Sequence, residues 1–310
     1  MIKHQFRSFQ FRHMFNDMET LIEYFCVFGG LGWNINNDLS LEELIENEIL
    51  DNFAHLHNQI LSLTTDEPQY AKLLSSLARG DRRIFSAFNK SGHSNMSGGL
   101  SLKHLQNTGV LETEYSREEP ALKNGQKIKR EIARHRISHK MRFTSPFLRF
   151  WFYFIAPLRH DIEVGNYERV LENFRQHFQA FVGYTFEELS NEMMKMKLSS
   201  LQLIDSGSYW DRQVEIDLFA TSLDEKLIIG ECKWKNHKLN KKELNKLLEK
   251  CERIEMKADY IMLFSKRGFS KELLSLQNKN LQLYYSEDFE DLLSGLSPDD
   301  LILGFLPPSN

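Results

Sequence analysis

The sequence predicts an α/β (α+β) protein: a helical N-terminal region, a winged helix-turn-helix, and then a mixed sheet flanked by helices. Three patterns carry that reading. Apolar residues recur at helical spacing through residues 17–63. Three further helical stretches, Gln69–Arg79, Arg82–Lys90 and Ser97–Thr108, run into a strand-like Gly109-Val110-Leu111-Glu112. Beyond Tyr167 the period switches back and forth between 3.6 and 2, as helices alternating with strands require. The domain reading that follows is 1–65 helical, 66–146 winged-helix-like, 147–166 an aromatic connector, and 167–310 the sheet-bearing domain.

In order along the chain, Asp17–Phe28 places Met18, Leu21, Ile22, Phe25 and Phe28 on one helical face. Gly29-Gly30-Leu31-Gly32 breaks that helix. A glycine cluster ahead of a helix invites a phosphate-loop reading, but the Gly-Lys-Ser/Thr ending is missing, so these residues read as a turn and no nucleotide cofactor is expected. Ser40, with Glu43 three residues on, caps a second helix carrying Leu44, Ile45, Ile49, Leu50, Phe53 and Leu56. Asp66-Glu67-Pro68 marks a boundary. The wing region then holds eight basic residues, Lys123, Lys127, Lys129, Arg130, Arg134, Arg136, Lys140 and Arg142, against the single acid Glu131. Beside a candidate recognition helix, such a run suits phosphate contacts, with Lys127, Lys129, Arg130 and Arg134 at its centre. The plainer alternative is a solvated loop.

Phe147–Leu158 is the most apolar run; it is short, contains Arg149 and Pro157, and reads as a buried helix. A helix over about Tyr167–Val182 and another starting near Thr185 follow. Then come strands near Leu201–Ile204, at Glu215–Ala220 and at Leu227–Trp234, a helix over Asn240–Met256, a strand at Tyr260–Ser265, a helix at Lys271–Gln277 and a strand at Leu281–Tyr285. Pro307-Pro308 is expected to end the structured part.

Composition bounds the function classes. The chain has 310 residues, 41% hydrophobic and 26% charged, with a formal net charge of −4, so any nucleic-acid signal must be local. Its three cysteines, Cys26, Cys232 and Cys251, are scattered and lack CxxC spacing. That fits a reducing, cytoplasmic setting and argues against a disulfide framework or a zinc knuckle. No apolar run reaches the ~18 residues of a membrane span, and the N-terminus lacks a signal-peptide core. The histidines show no HxxH or HExxH pairing, so no zinc enzyme is indicated.

The chemistry-bearing pattern lies in the two strands around Thr221–Lys226. In the first, Glu215 and Asp217 share a face; in the second, Glu231 and Lys233 do. A hairpin between them brings Asp217 close to Glu231, with Lys233 one pleat further along. Two carboxylates and an ammonium in a mostly apolar sheet are costly unless a cation or substrate compensates them, and their oxygens suit a hard cation such as Mg²⁺ or Mn²⁺.

Asp217, thirteen residues, Glu231, one residue and Lys233 together resemble the PD-(D/E)XK nuclease superfamily. A helix, three strands, a helix and a strand is the core order of that restriction-endonuclease-like fold. A closer resemblance is to archaeal and bacterial AAA-type ATPases ending in a winged helix and a nuclease-like domain of unknown function. Thr144–Pro157 looks like that family's aromatic connector, Phe181–Leu189 like its "G-x-x-F-E-x-L" helix start, and Gly207–Arg212 leading into the two acidic strands like its core. The resemblance implies Asp217 and Glu231 as Mg²⁺ ligands, aided by the Cys232 carbonyl, Lys233 as the group that orients or deprotonates the attacking water, and Glu187 as an upstream acid at a helix start. Tyr209, Trp210 and Arg212, just before the metal strand, are candidates for nucleic-acid contact. The resulting expectation is a Mg²⁺-dependent DNA nuclease positioned by its winged helix. The alternative is a non-catalytic nucleic-acid-binding or regulatory module. No ATPase motif stands in the chain, so either reading leaves room for a separate ATPase partner, and for a homodimer.

Overall fold

The computed structural model describes residues 1–65, 67–117, 138–302 and 304. The chain packs as two compact units: Met1–Glu114 with Lys140–Thr185 and Glu290–Asn310, and Tyr115–His139 with Phe186–Phe289.

The first unit is mostly helical. Its helix α1 (Ile2–His13) was not legible in the sequence, yet it buries Ile2, Phe6, Phe9 and His13 along one stripe. Phe6 and Phe9 pack their rings against Phe25 of α2 (Met18–Phe28), with centroids 5.1 and 5.7 Å away. Asp17 caps α2 by accepting the Thr20 N–H at 2.7 Å. The expected capping box forms at Ser40 and Glu43, but the helix it opens is interrupted: α3 (Leu41–Leu44) runs into a π-helical turn, Ile45–Leu50, before α4 (Phe53–Leu63). Gly30 and Gly32 adopt φ of 90° and 74°, which makes the glycine cluster a turn.

Three helices, α5 (Pro68–Arg79), α6 (Ile84–Ser91) and α7 (Asn95–Asn107), lead into the antiparallel pair β1 (Leu111–Glu114) and β2 (Lys140–Phe143). This is the order of a winged helix. Lys127, Lys129, Arg130 and Arg134, with Lys123 and Arg136, lie outside the described residues. The other two members of the basic run are not spare wing cations: Lys140 is 1% exposed, and Arg142 pairs with Glu112 at 2.6 Å. Both sit on strand β2, whose pairing with β1 commits them to the fold.

The aromatic part of the connector, residues 147–155, is buried except for half-buried Tyr153. The connector forms α8 (Pro146–Phe150), a π-helical turn Trp151–Ile155, and a 3₁₀ turn Ala156–Leu158, then α9 (Arg159–Glu163). Phe150 and Phe154 interlock with Phe174 and Phe181 of α10 (Tyr167–Lys197). Helix α10 is one continuous helix of 31 residues, where the sequence suggested two. Gly183 costs a helix interior only ~1 kcal/mol, and no proline stands nearby to break it.

The second unit is a mixed sheet of order β3-β4-β5-β6-β7: β3 (Leu203–Trp210), β4 (Glu215–Ser222), β5 (Leu227–Lys233), β6 (Tyr260–Ser265) and β7 (Leu281–Tyr285). The first three pair antiparallel and the last three parallel. Parallel pairs need crossovers, supplied by α11 (Lys241–Arg253) and α12 (Lys271–Ser275). One cluster packs Ile229 and Leu263 of the sheet with Leu244, Leu247 and Cys251 of α11. In another, Phe186 of α10 meets Trp234 and Phe289, each at a centroid distance of 5.0 Å, and Phe289 meets Phe264 of β6.

One buried group gives the first unit a pH dependence. His13 is 8% exposed, and burial, aided by the charge of Arg12 and opposed by a backbone hydrogen bond at Trp33, lowers its pKa from 6.5 to about 4. The folded state therefore holds it neutral, while the unfolded chain protonates it near 6.5. Its stability contribution is whole above pH 6.5 and is lost as pH falls to about 4. Urea unfolding from pH 7 to 4 should show a loss on the order of 2–3 kcal/mol from this group, absent in His13→Gln.

Candidate active site

The β4–β5 hairpin fixes the two acidic strands in register. Its last matched pair is Leu218 with Gly230, so one step further sets Asp217 opposite Glu231. Ser222 closes the turn by accepting the Lys226 N–H at 3.0 Å, and Glu225 takes φ of 61°. Gly230 has no room for a side chain, because a Cβ there would lie 2.6 Å from the Met262 carbonyl oxygen of β6. That close approach holds β5 tightly between its two neighbours, directly beside Glu231.

Alternation puts Glu231 and Lys233 on the face of β5 that also carries Ile229, which packs in the cluster with α11. The Asp217 Oδ2 accepts the Cys232 N–H at 2.9 Å, which locks the carboxylate across the strand gap. Lys233 Nζ bonds Glu231 Oε1 and stands 3.6 Å from Asp217 Oδ2. A second ammonium completes the group: Lys250 Nζ donates to Glu231 Oε2 at 2.8 Å. Glu231 is 7% exposed, so both of its oxygens are engaged inside a nearly closed setting.

The charges perturb one another. Burial, and next the Glu231 carboxylate, push the Asp217 carboxyl above its ordinary range; Lys233, the Cys232 N–H and Lys250 pull against them. For Lys233, burial works to lower its pKa, but Asp217 and Glu231 outweigh it and hold the ammonium above its usual value. Burial raises the Cys232 thiol, and the Asp217 and Glu187 charges add to that. Glu187 therefore lies near enough to Cys232 to be felt electrostatically, though it sits inside α10 and not at a helix start.

Lys250 was missed in the sequence, since it stands nineteen residues from Glu231 on another element. A signal was available. Lys250 stands three residues after Leu247 and beside Cys251, on the edge of the stripe that packs against the sheet.

The aromatic candidates are placed otherwise than expected. Tyr209 is 3% exposed and Trp210 fully buried. Tyr209 packs on Phe219 with centroids 5.1 Å apart, and Trp210 Nε1 donates to the Ser138 carbonyl. Both lie in β3, on opposite faces of the strand, and both faces are covered at that point, which buries the two rings instead of offering them to a polymer. Arg212, in the β3–β4 turn, is exposed. Among the described residues, no group of three or more His, Cys, Asp or Glu side chains gathers to hold a metal, and no helix is long and apolar enough to cross a membrane.

A fold of this kind, with acidic and basic side chains meeting at an internal hairpin, is a scaffold for a site and not a statement of which site. The chain is similar, over residues 151–247, to the DUF234 family, described as archaeal and bacterial proteins of unknown function. That stretch includes Asp217, Glu231 and Lys233 and stops short of Lys250. An uncharacterized protein of Methanocaldococcus jannaschii is 25% identical over 285 residues, covering 87% of this chain. The chain spans 60% of that relative's length. Among solved structures, the homodimeric winged helix-turn-helix DNA-binding domain Mb0332 of Mycobacterium bovis, a possible ArsR-family regulator, aligns at 14% identity and a TM-score of 0.24, covering 36% of this chain and 87% of that one. Protein VC1899 of Vibrio cholerae aligns at 15% identity and a TM-score of 0.30, covering 91% of this chain and 56% of that one. At these scores neither alignment bears on fold or function.

The charge cluster has its own pH signature. In Lys233→Met, Asp217 and Glu231 lose their nearest shared cation, so the already raised Asp217 carboxyl must rise further. A folded-state carboxyl pKa above the unfolded one gives stability present at low pH and lost as pH rises through it. The variant should therefore be about 1–3 kcal/mol less stable than wild type at pH 8, less than the full cost of orphaning a buried ion because the side chains are partly exposed. The deficit should shrink toward pH 4, as paired urea titrations would show.

Proposed function

We propose that this protein hydrolyses phosphodiester bonds, with DNA as the polymer, using Asp217 and Glu231 to hold a divalent cation and Lys233 beside it. The observation that carries the reading is the placement of both carboxylates on one hairpin, with Lys233 bonded to Glu231 and 3.6 Å from Asp217. The donor set fits a hard cation: it is all oxygen, held at one end by the Cys232 N–H, and two carboxylates are the usual protein share for Mg²⁺, which keeps waters and substrate oxygens as its other ligands. Such an ion, when bound, would neutralise phosphate charge and lower the pKa of a coordinated water.

The remaining work falls to side chains of the chain. Asp217 is oriented by the Cys232 N–H on its Oδ2. Lys233, whose ammonium is held charged by its two neighbours, is suited to orient the attacking water and to offset charge developing on phosphorus. Arg212 and the basic residues Lys127, Lys129, Arg130 and Arg134 are the cations that this reading assigns to backbone contact.

A second reading has its own observation. Two carboxylates face two ammonium groups, Lys233 and Lys250, so the cluster is formally neutral without any ion. That favours a non-catalytic binding or regulatory module.

Metal linkage and cleavage separate the two. Mg²⁺ or Mn²⁺ should raise the melting temperature of wild type, since a ligand that binds only the folded state stabilises it by mass action. The double variant Asp217→Asn, Glu231→Gln should lose that rise, and an unchanged response would remove the metal site. Lys233→Ala should keep DNA affinity within a few-fold and cut cleavage by at least ~100-fold, the scale of losing one electrostatic stabiliser. Wild-type protein that cuts neither single- nor double-stranded nucleic acid with either cation would leave the binding module.

A further inference from the structure

We propose that Lys250 is a built-in counter-ion for Glu231, which a divalent cation must displace before the site can load; this rests on the reading of Asp217 and Glu231 as cation ligands. Both Glu231 oxygens are taken, Oε1 by Lys233 and Oε2 by Lys250 at 2.8 Å. The two lysines differ in what holds them. Lys233 is two residues from Glu231 on the same strand and also faces Asp217, so it belongs to the hairpin itself. Lys250 comes from α11, across the fold, and its side chain is 27% exposed. Among the described residues Lys250 pairs with one carboxylate and Lys233 with two, and Lys233 is no more exposed, so of the two Lys250 is the ammonium held less firmly.

Electrostatics make the exchange compulsory. An ion at Glu231 Oε2 would stand within a few ångströms of the ammonium already there, in a setting where like charges repel far more strongly than in water. The cation and Lys250 are therefore alternative partners for one oxygen. Once released, the ammonium remains on the lip of the same site, where a phosphate oxygen is the natural acceptor. Anything that draws Lys250 away favours the cation, and by reciprocity the cation favours whatever then holds Lys250. Loading and polyanion binding are coupled through this one side chain.

Calorimetric titration of the full chain with Mn²⁺, without nucleic acid and at fixed pH and ionic strength, tests this directly. Lys250→Gln removes the charge and keeps an N–H donor; Lys250→Met serves the same purpose should the first variant fail to fold. Either should bind Mn²⁺ roughly 5- to 100-fold more tightly than wild type, the span of an ordinary coupling free energy. Lys250→Arg, which keeps the charge, should stay near wild type, and Glu231→Gln should bind far more weakly than all of them. Equal Mn²⁺ affinity in wild type and the neutral variants, with Glu231→Gln still impaired, would overturn the counter-ion role and leave the metal site standing. Mn²⁺ binding that is absent from every variant, or indifferent to Glu231→Gln, would remove the metal site itself and the counter-ion with it.

Discussion

Glu231 occupies the central strand of a five-stranded sheet, with strands paired on both sides and a helix over its face. An ionised carboxylate with so little access to water is tolerable only if its charge and lone pairs are met by the protein. Two ammonium groups meet them, one from the same strand and one from α11. Much else in this unit serves that arrangement. Gly230 lets β6 come close, the hairpin register sets Asp217 across from Glu231, and the apolar stripe of α11 presses the helix onto the sheet so that Lys250 can reach. A buried ion cluster of this kind contributes little net stability compared with an apolar replacement, and what it gains is a fixed arrangement of charges.

The first unit holds together by a different means. Aromatic rings from the connector and α10 interlock around Phe154, and α1 adds Phe6 and Phe9 to the ring packing around Phe25. Arg7 of α1 reaches the returning C-terminal stretch, donating to Asp300 at 2.6 Å and to the Leu292 and Ser294 carbonyls.

The sequence carried the helices with clear stripes and caps, since Ser40 and Glu43 announce their own roles through local hydrogen bonds. It also carried the strands around Asp217 and Glu231, because a two-residue alternation interrupted by a short polar turn has few other solutions. What it concealed was tertiary. Helix α1 has a polar sequence on average and is recognised only by what packs on its few aromatic positions. The unbroken α10 contradicts Gly183 because buried phenylalanines on both sides of it hold the helix together. Tyr209 and Trp210 look like surface stacking groups before a turn, yet they pair into an edge strand that is covered on both faces at its end. Lys250 is nineteen residues from Glu231 in sequence, and no local rule links a helix lysine to a strand glutamate across a crossover.

Whether the oxygens of Asp217 and Glu231 can share a cation decides between a loaded site and a structural ion network. Crystals grown with Mn²⁺ and measured at a wavelength where manganese scatters anomalously answer that in one map. A single strong anomalous peak between the Asp217 and Glu231 carboxylates, with the Lys250 ammonium moved off Glu231, is the expected result. No peak at that pair, with Lys233 and Lys250 both still bonded to Glu231 under saturating Mn²⁺, would contradict it and make the cluster a structural ion network.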